Sequence, residues 1–215
     1  FDRITRPEQI ISSLQQAIQV MLDPADCGPA CISLSQDVQG EVYDYPLDFF
    51  NERIHTIRRP KPDDFQIKEA AELIKKSKKP IIISGGGVFY SDATDELSAF
   101  AIKHNIPVTQ TVMGYSSIKK DHSHYLGTIG GLGGGAANNL SKETDTAIAI
   151  GTKLADFTTG SWANFENPSF KLVSINAARF DANKHMAQAI VGDAKVSLLE
   201  LSQALGNWEA EDSWY

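Results

Sequence analysis

The sequence predicts an α/β fold: a doubly wound, Rossmann-like parallel sheet with helices on both faces. Short, continuously apolar segments alternate with amphipathic segments over about residues 64–208, which is the pattern of repeated βαβ units. The apolar segments lack polar alternation, which indicates strands buried on both faces of a parallel sheet. Asp193 before the last helix and Gly206 after it are typical capping residues.

The individual elements of this domain follow from their periodicity. Helices with one apolar face are predicted over about 64–77, 92–104 and from Val196 to Leu205. Buried strands are predicted over 80–84, 106–111, 146–151, 171–176 and 189–193. A long loop is expected between the second and third strands, and its glycine-rich stretch GTIGGLGGGAANN (127–139) is predicted to open a short helix.

Residues 1–63 lack this regular alternation. TRPEQIISSLQQAIQVMLDP predicts a helix with a Thr5–Glu8 capping box, and GPACISLS (28–35) predicts a short buried strand. One helix and one strand are too little to bury a core. We therefore expect these domain bounds: 1–38, the end of an upstream domain; 39–63, a linker rich in proline and charge; 64–208, the α/β domain; and 209–215, the start of a tail.

Charge and composition exclude several classes of protein. The formal net charge is −7, with dispersed acidic residues and no basic run, so we expect no nucleic-acid partner. No apolar run approaches the roughly 20 residues needed to span a bilayer. The start, FDRITRPEQ, lacks both a methionine and the layout of a signal peptide. We expect part of a longer cytoplasmic protein, without a membrane segment.

The two cysteines, Cys27 and Cys31, are too few for a disulfide framework, and no nearby His or Cys completes a zinc site. We expect both to be reduced packing residues.

The first candidate functional motif is the glycine run that follows the strand at 80–84. Gly85, Gly86 and Gly87 lie in the first βα turn, where backbone N–H groups can hold a diphosphate. The run lacks the lysine of a P-loop and the spacing of the dinucleotide fingerprint, and the next helix is expected to begin only at about Ser91 or Asp92. The alternative is that the glycines merely allow close helix–strand approach.

Two further stretches could line a ligand site. GTKLADFTTGSW (151–162) places Gly151 and Thr152 at the carboxyl end of a strand, where open α/β sheets bind ligands; a hydrogen-bonded turn is the alternative. Gly131, Gly133 and Ala136 have GxGxxA spacing, but no clear strand precedes them, so a loop that lines a ligand or subunit contact is more plausible than a dinucleotide fingerprint.

His122 and His124 alternate like metal ligands, but no third ligand is near. A solvated loop is the simpler interpretation of this pair.

Several of these stretches together resemble a known family. GPACISLSQDV, a long linker, AAELIKKSKKPIIISGGGV and AIVGDAKVSLLEL occur in the order found in the thiamine-diphosphate-dependent enzymes of the acetolactate synthase and pyruvate oxidase type. The resemblance covers nearly all of the chain. It implies the end of a pyrimidine-binding domain followed by a central domain. Within the family, GTKLADFTTGSW and INAARFDANKH resemble the branch that hydrolyses a carbon–carbon bond of a cyclic 1,2-diketone in myo-inositol breakdown.

The resemblance also implies where the chemistry lies. The family's activating glutamate belongs to the pyrimidine-binding domain and its GDG motif to a third domain, so thiamine diphosphate and Mg²⁺ are expected to bind outside this chain, which is expected to be inactive alone. Gly192-Asp193 lacks the third glycine and the later asparagine of that motif. The longer enzyme is expected to be a homodimer or homotetramer that takes a small-molecule substrate.

One residue counts against nucleotide binding on the central domain. Relatives that bind FAD there carry a carboxylate where this chain has Asn176, so FAD is not expected. Gly85, Gly86, Gly87, Gly151, Thr152 and Asn176 then outline a vestigial nucleotide cleft. Two alternatives remain open: another member of the thiamine-dependent family, such as an acetolactate synthase, or a nucleotide-binding Rossmann-type module.

Overall fold

The structure is a computed structural model that describes residues 1–215, and it divides the chain into two compact units, 1–58 and 59–215. None of its helices combines the length and the apolar character that crossing a bilayer requires.

The first unit contains a two-stranded parallel sheet and one helix. Strand β1 spans Asp2–Ile4, helix α1 spans Ile10–Leu22 and strand β2 spans Ile32–Leu34. β1 pairs with β2 in parallel, with Asp2 opposite Ile32. The remainder is irregular except for short 3₁₀ turns, such as the one at Leu47–Phe50.

Three local predictions for this unit are wrong, and one strand was missed. The partner in the capping box is Gln9 rather than Glu8, because the Gln9 Oε1 atom accepts from the backbone N–H groups of Thr5 and Arg6 at 2.7 and 3.0 Å. Strand β1 was not anticipated, and β2 is partly exposed rather than buried. Cys27 and Cys31 are both exposed. A unit this small has too little interior to bury them.

The second unit is built on a parallel sheet, as predicted, but the sheet has six strands rather than the five expected. In chain order its strands are β3 Pro80–Ser84, β4 Val108–Gln110, β5 Tyr125–Thr128, β6 Thr146–Ile150, β7 Lys171–Asn176 and β8 Gln188–Val191. Their spatial order is β5-β4-β3-β6-β7-β8, and every neighbouring pair is parallel.

Seven helices precede, connect or follow these strands. They are α2 Asp64–Lys75, α3 Gly86–Tyr90, α4 Thr94–His104, α5 Gly135–Glu143, α6 Asp156–Thr159, α7 Arg179–Ala182 and α8 Ala194–Leu205. The predicted caps of α8 are present: the Asp193 side chain accepts from two backbone N–H groups at its start, and Gly206 ends it with a φ of 65°.

Both faces of the sheet are covered. Ile82 belongs to a core on one face, with apolar residues of α2, α4 and α8. Its neighbours Ile81 and Ile83 point to a second core on the other face, which includes Ala137 of α5. This double coverage explains the continuous apolar character of the strands.

Four elements of this unit escaped prediction: β5, α3 and the four-residue helices α6 and α7. β5 was expected to be a loop, because YLGT is only half-buried at the edge of the sheet and contains a glycine. The five-residue helix α3 begins at Gly86, whereas the helix was expected to begin at Ser91 or Asp92. Because consecutive glycines disfavour a helix, α3 could not be predicted from its residues.

Candidate functional site

The predicted site residues meet at the topological switch point of the sheet. β3 and β6 are neighbours in the sheet, but the strand that follows β3 lies on one side of this pair and the strand that follows β6 lies on the other. Open α/β sheets bind ligands at such a switch point. Gly85, Gly86 and Gly87 follow β3, and Gly151 and Thr152 follow β6. The tertiary structure therefore brings together the two loops that the sequence singled out separately.

The two loops are in direct backbone contact. The Gly85 N–H donates to the Ile150 carbonyl at 2.8 Å, and the Gly87 N–H donates to the Gly151 carbonyl at 2.9 Å. A Cβ atom on Gly85 would lie 2.3 Å from the Gly151 carbonyl oxygen, and one on Gly87 would lie 2.5 Å from the Gly151 Cα. The glycines thus permit this close approach, and two of the N–H groups expected to hold a phosphate are already bonded.

Asn176 and Thr152 also form hydrogen bonds within the protein. The Asn176 Oδ1 atom accepts from the Ala178 N–H at 3.0 Å, and its Nδ2 group donates to the Thr152 carbonyl at 3.4 Å. The Thr152 hydroxyl oxygen accepts from the Leu154 N–H at 3.3 Å. Asn176 therefore holds the loop after β7 against the loop after β6.

A third loop at this edge, after β4, was missed. A Cβ on Gly114 would lie 2.3 Å from the Ser84 carbonyl oxygen and 2.9 Å from the Gly85 Cα. Gln110, which ends β4, is buried, and its Oε1 atom has no hydrogen-bond partner. A lone glycine a few residues beyond a predicted strand was the only signal for this contact.

The glycine-rich stretch 127–139 lies at the same edge. The Gly130 N–H donates to the Asn138 Oδ1 atom at 2.9 Å, and the Asn138 Nδ2 group donates back to the Gly130 carbonyl at 3.1 Å. The Gly131 N–H donates to the Phe157 carbonyl at 2.9 Å. The expectation that no strand precedes this stretch is wrong, since β5 ends at Thr128; the expectation that it opens a short helix is confirmed by α5.

Several apolar side chains are exposed at this edge. Five large side chains in the loops after β3, β4, β5 and β6 are each more than half exposed: Phe89, Tyr90, Met113, Leu132 and Phe157. The six predicted site residues, four glycines with Thr152 and Asn176, carry no ionisable group. These six residues supply neither a general acid nor a general base.

The histidine pair lies at the opposite edge, where β5 begins. The rings of His122 and His124 are 5.6 Å apart, and both residues are half-buried rather than fully solvated. The His124 Nε2 atom lies 3.2 Å from the Asn105 Oδ1 atom. Burial, and secondarily the neighbouring His122, lower the pKa of His124.

A divalent metal does not fit the donor groups of this chain. No three or more His, Cys, Asp or Glu side chains cluster so that they could hold an ion. The Asp193 carboxylate accepts from the N–H groups of Lys195 and Val196 at 3.0 and 3.2 Å and lies 3.1 Å from the Arg59 Nη1 atom. Its role is to cap α8, and no reaction step can be assigned to a metal or diphosphate held by these residues.

Comparison with known proteins places this unit in a family. Residues 67–201 match the family described as thiamine pyrophosphate enzyme, central domain. Two curated relatives, from Clostridium perfringens strain 13 and Bacillus subtilis strain 168, are each 46% identical over 98% of the chain. Both are named 3D-(3,5/4)-trihydroxycyclohexane-1,2-dione hydrolase. The chain spans about a third of their length.

A solved structure agrees on the fold. Benzoylformate decarboxylase from Polynucleobacter necessarius superposes with a TM-score of 0.76 at 21% identity, over 98% of this chain and 39% of that one. The family match covers most of the second unit, and the relatives extend the similarity to nearly the whole sequence. The chain therefore belongs to the thiamine pyrophosphate enzymes, with their central domain at residues 67–201.

Proposed function

We propose that this chain supplies the central domain of a thiamine-diphosphate-dependent hydrolase that opens a cyclic 1,2-diketone, trihydroxycyclohexane-1,2-dione, by cleaving a carbon–carbon bond. The supporting observation is 46% identity over 98% of the chain to two hydrolases named for that substrate. The proposed setting is myo-inositol breakdown in the cytoplasm, by a longer homodimeric or homotetrameric protein.

In this proposal the chain contributes structure rather than chemistry. Residues 1–38 belong to the end of the pyrimidine-binding domain, 39–63 to a linker, 64–208 to the central domain and 209–215 to a following linker. The absence of ionisable groups among the six candidate site residues supports a scaffold role. Thiamine diphosphate and Mg²⁺ would bind to other parts of the longer enzyme, and a domain of this kind is inactive alone.

A chimera tests the substrate assignment. The matching third of the Bacillus subtilis hydrolase is replaced by this chain, and ring opening of the dione is followed with thiamine diphosphate and Mg²⁺ present. We expect activity within about tenfold of the parent. A chimera carrying the central domain of benzoylformate decarboxylase is the matched control and should lose most activity.

Two outcomes would contradict the proposal. A folded chimera that condenses pyruvate but leaves the dione intact would favour the acetolactate synthase alternative. Hydrolysis of the dione by the 215-residue chain alone would show that the catalytic groups lie within it.

We also propose that the crevice at the switch point is a vestigial nucleotide cleft. Its location favours a ligand, whereas the internal hydrogen bonds of Gly85, Gly87 and Asn176 oppose one. Calorimetric titration of the chain with ADP, FAD and NAD should give no binding heat at ligand concentrations of about 1 mM. Saturable heat with any of them, abolished by Gly85→Ala, would establish a working nucleotide site and favour the binding-module alternative.

A further inference from the structure

His104 of α4 is fully buried and forms hydrogen bonds through both of its ring nitrogens. Its Nδ1 atom lies 2.6 Å from the Trp208 carbonyl oxygen, and its Nε2 atom lies 3.0 Å from the Ser202 hydroxyl oxygen of α8. Because a carbonyl can only accept, the hydrogen of a neutral ring is on Nδ1 and the lone pair is on Nε2. The Ser202 hydroxyl therefore donates to His104.

The surroundings of His104 favour the neutral ring. Burial is the main cause that lowers its pKa; the hydrogen bond to the Trp208 carbonyl raises the pKa, and the nearby charge of Lys103 lowers it further. A neutral Nε2 atom can take up the Ser202 proton. A serine that donates to a histidine whose other nitrogen is held by an acceptor has the arrangement of an activated nucleophile. Here that acceptor is a backbone carbonyl.

A positive charge also lies next to Ser202. The Lys103 Nζ group donates to the Ser202 hydroxyl oxygen at 3.1 Å and to the Ser202 carbonyl oxygen at 3.3 Å. No carboxylate lies within ion-pairing distance of Lys103. Since a nearby cation favours the ionised form of an acidic group, Lys103 makes the Ser202 hydroxyl easier to deprotonate.

Ser202 lines a small open cavity between α4 and α8. The volume of this cavity is about 270 Å³. Apart from Lys103 and Ser202, it is lined by four apolar residues and two acidic ones: Ala99, Phe100, Leu198, Leu199, Asp95 and Glu96. The apolar side chains favour an uncharged ligand, and the two carboxylates repel an anion. The cavity therefore fits a short, uncharged acyl group.

We propose that Ser202 is a nucleophile that accepts a short, uncharged acyl group from an activated ester, with His104 as its base. The Ser202 oxygen bonds to the ester carbonyl carbon, and its proton passes to the His104 Nε2 atom. Negative charge then develops on the carbonyl oxygen, and the Lys103 ammonium group stabilises it.

The second half of the step releases the leaving group. The bond between the carbonyl carbon and the leaving oxygen breaks, and the leaving group takes the proton back from the His104 Nε2 atom. The products are the released alcohol and an ester of Ser202. This inference is independent of the proposed ring-opening activity, because it needs neither thiamine diphosphate nor Mg²⁺.

Reaction of the 215-residue chain with 4-nitrophenyl acetate, without thiamine diphosphate or Mg²⁺, tests the proposal. We expect release of 4-nitrophenolate and an acetyl group on Ser202, located by mass spectrometry of peptides. Ser202→Ala should lower the rate of release at least about tenfold, because the nucleophile and its base no longer act together. Lys103→Met should also lower the rate, because the charge that stabilises the developing anion is removed.

Ser123 provides the matched control. Its hydroxyl oxygen lies 2.8 Å from the His124 Nδ1 atom, so it also contacts a histidine, but no lysine donates to it. Ser123→Ala should leave both the rate and the acetyl group on Ser202 unchanged. Circular dichroism of each variant verifies that it is folded, and the position of the acetyl group in the unaltered chain is measured without any variant.

Two outcomes would overturn the proposal. The first is an unaltered, folded chain that acquires acetyl groups on lysines but none on Ser202. The second is a folded Ser202→Ala variant that releases 4-nitrophenolate as fast as the unaltered chain. In either case the hydrogen bonds of Ser202 would serve only to join α8 to α4.

Discussion

Gly85 is the residue on which the packing of the candidate site depends most directly. A Cβ atom there would lie 2.3 Å from the Gly151 carbonyl oxygen and 2.6 Å from the Thr152 Cβ, and backbone atoms cannot move aside cheaply in a close-packed interior. Gly85→Ala should therefore lower the free energy of unfolding by about 1–3 kcal/mol, measured by urea denaturation.

The matched control for this substitution is Gly135→Ala at the start of α5. A Cβ on Gly135 would meet nothing within 4 Å, and alanine favours helix over glycine. Unchanged or slightly raised stability is expected there. If the two substitutions had equal effects, the crowding between the loops after β3 and β6 could not be the cause.

Asp193 is a second residue with a defined structural role. Its carboxylate caps α8 through two backbone N–H groups and pairs with Arg59, and its side chain is only 6% exposed. Asp193→Ala should lower the free energy of unfolding by about 1–3 kcal/mol. Asp193→Asn keeps an oxygen for the cap and should cost less; an equally large loss in both variants would identify the ion pair, rather than the cap, as the main contribution.

At the scale of elements, the tail after α8 is held at the edge of the sheet where the strands begin. The Asn105 Nδ2 group donates to the Ala210 carbonyl at 3.1 Å, its Oδ1 atom accepts from the Tyr215 hydroxyl at 2.9 Å, and the Trp214 Nε1 group donates to the Pro80 carbonyl at 2.7 Å. A tail bound in this way should protect its own amide hydrogens from exchange.

Asn105→Gly tests this attachment. Asn105 has a φ of 49°, which glycine adopts without strain, so only the side-chain bonds are lost. Amide exchange in residues 207–215 should become faster, while the amides of β3 and β6 keep their protection. Unchanged exchange at Ala210 would mean that its own bond to the His104 carbonyl holds the tail without Asn105.

Some strands and helices of the second unit could be predicted from the sequence, and others could not. The strands β3, β6 and β7 were predicted because runs such as Ile81–Ile83 carry the signature of a doubly buried strand locally. β5 and α3 were missed because their residues are half-buried or glycine-rich, and tertiary pairing rather than local preference stabilises them.

At the scale of the whole molecule, the buried His104 and the half-buried His124 link stability to pH. Burial is the main cause that lowers the pKa of His104, opposed by its hydrogen bond to the Trp208 carbonyl, and burial also lowers the pKa of His124. As the pH falls through about 6.5, these histidines take up protons in the unfolded chain before they do so in the folded one. The unfolded state is then favoured.

The free energy of unfolding should therefore decrease between pH of about 7.5 and 5, measured by urea denaturation at intervals across that range. His124→Gln should reduce the slope, because one of the two groups is removed. A stability that stays constant or rises toward acid pH would contradict a lowered pKa of these histidines in the folded state.

The parallel α/β architecture, the caps of α8 and the two loops of the candidate site could be predicted from the sequence alone. The patterns that indicate them lie within one strand or one turn. The sequence could not show that Gly85 and Gly87 donate to Ile150 and Gly151, since those contacts join segments that are distant in the chain. Whether the glycines face a ligand or another loop is decided by how closely two strands bring their ends together. Only the tertiary structure shows that the backbone itself fills this space.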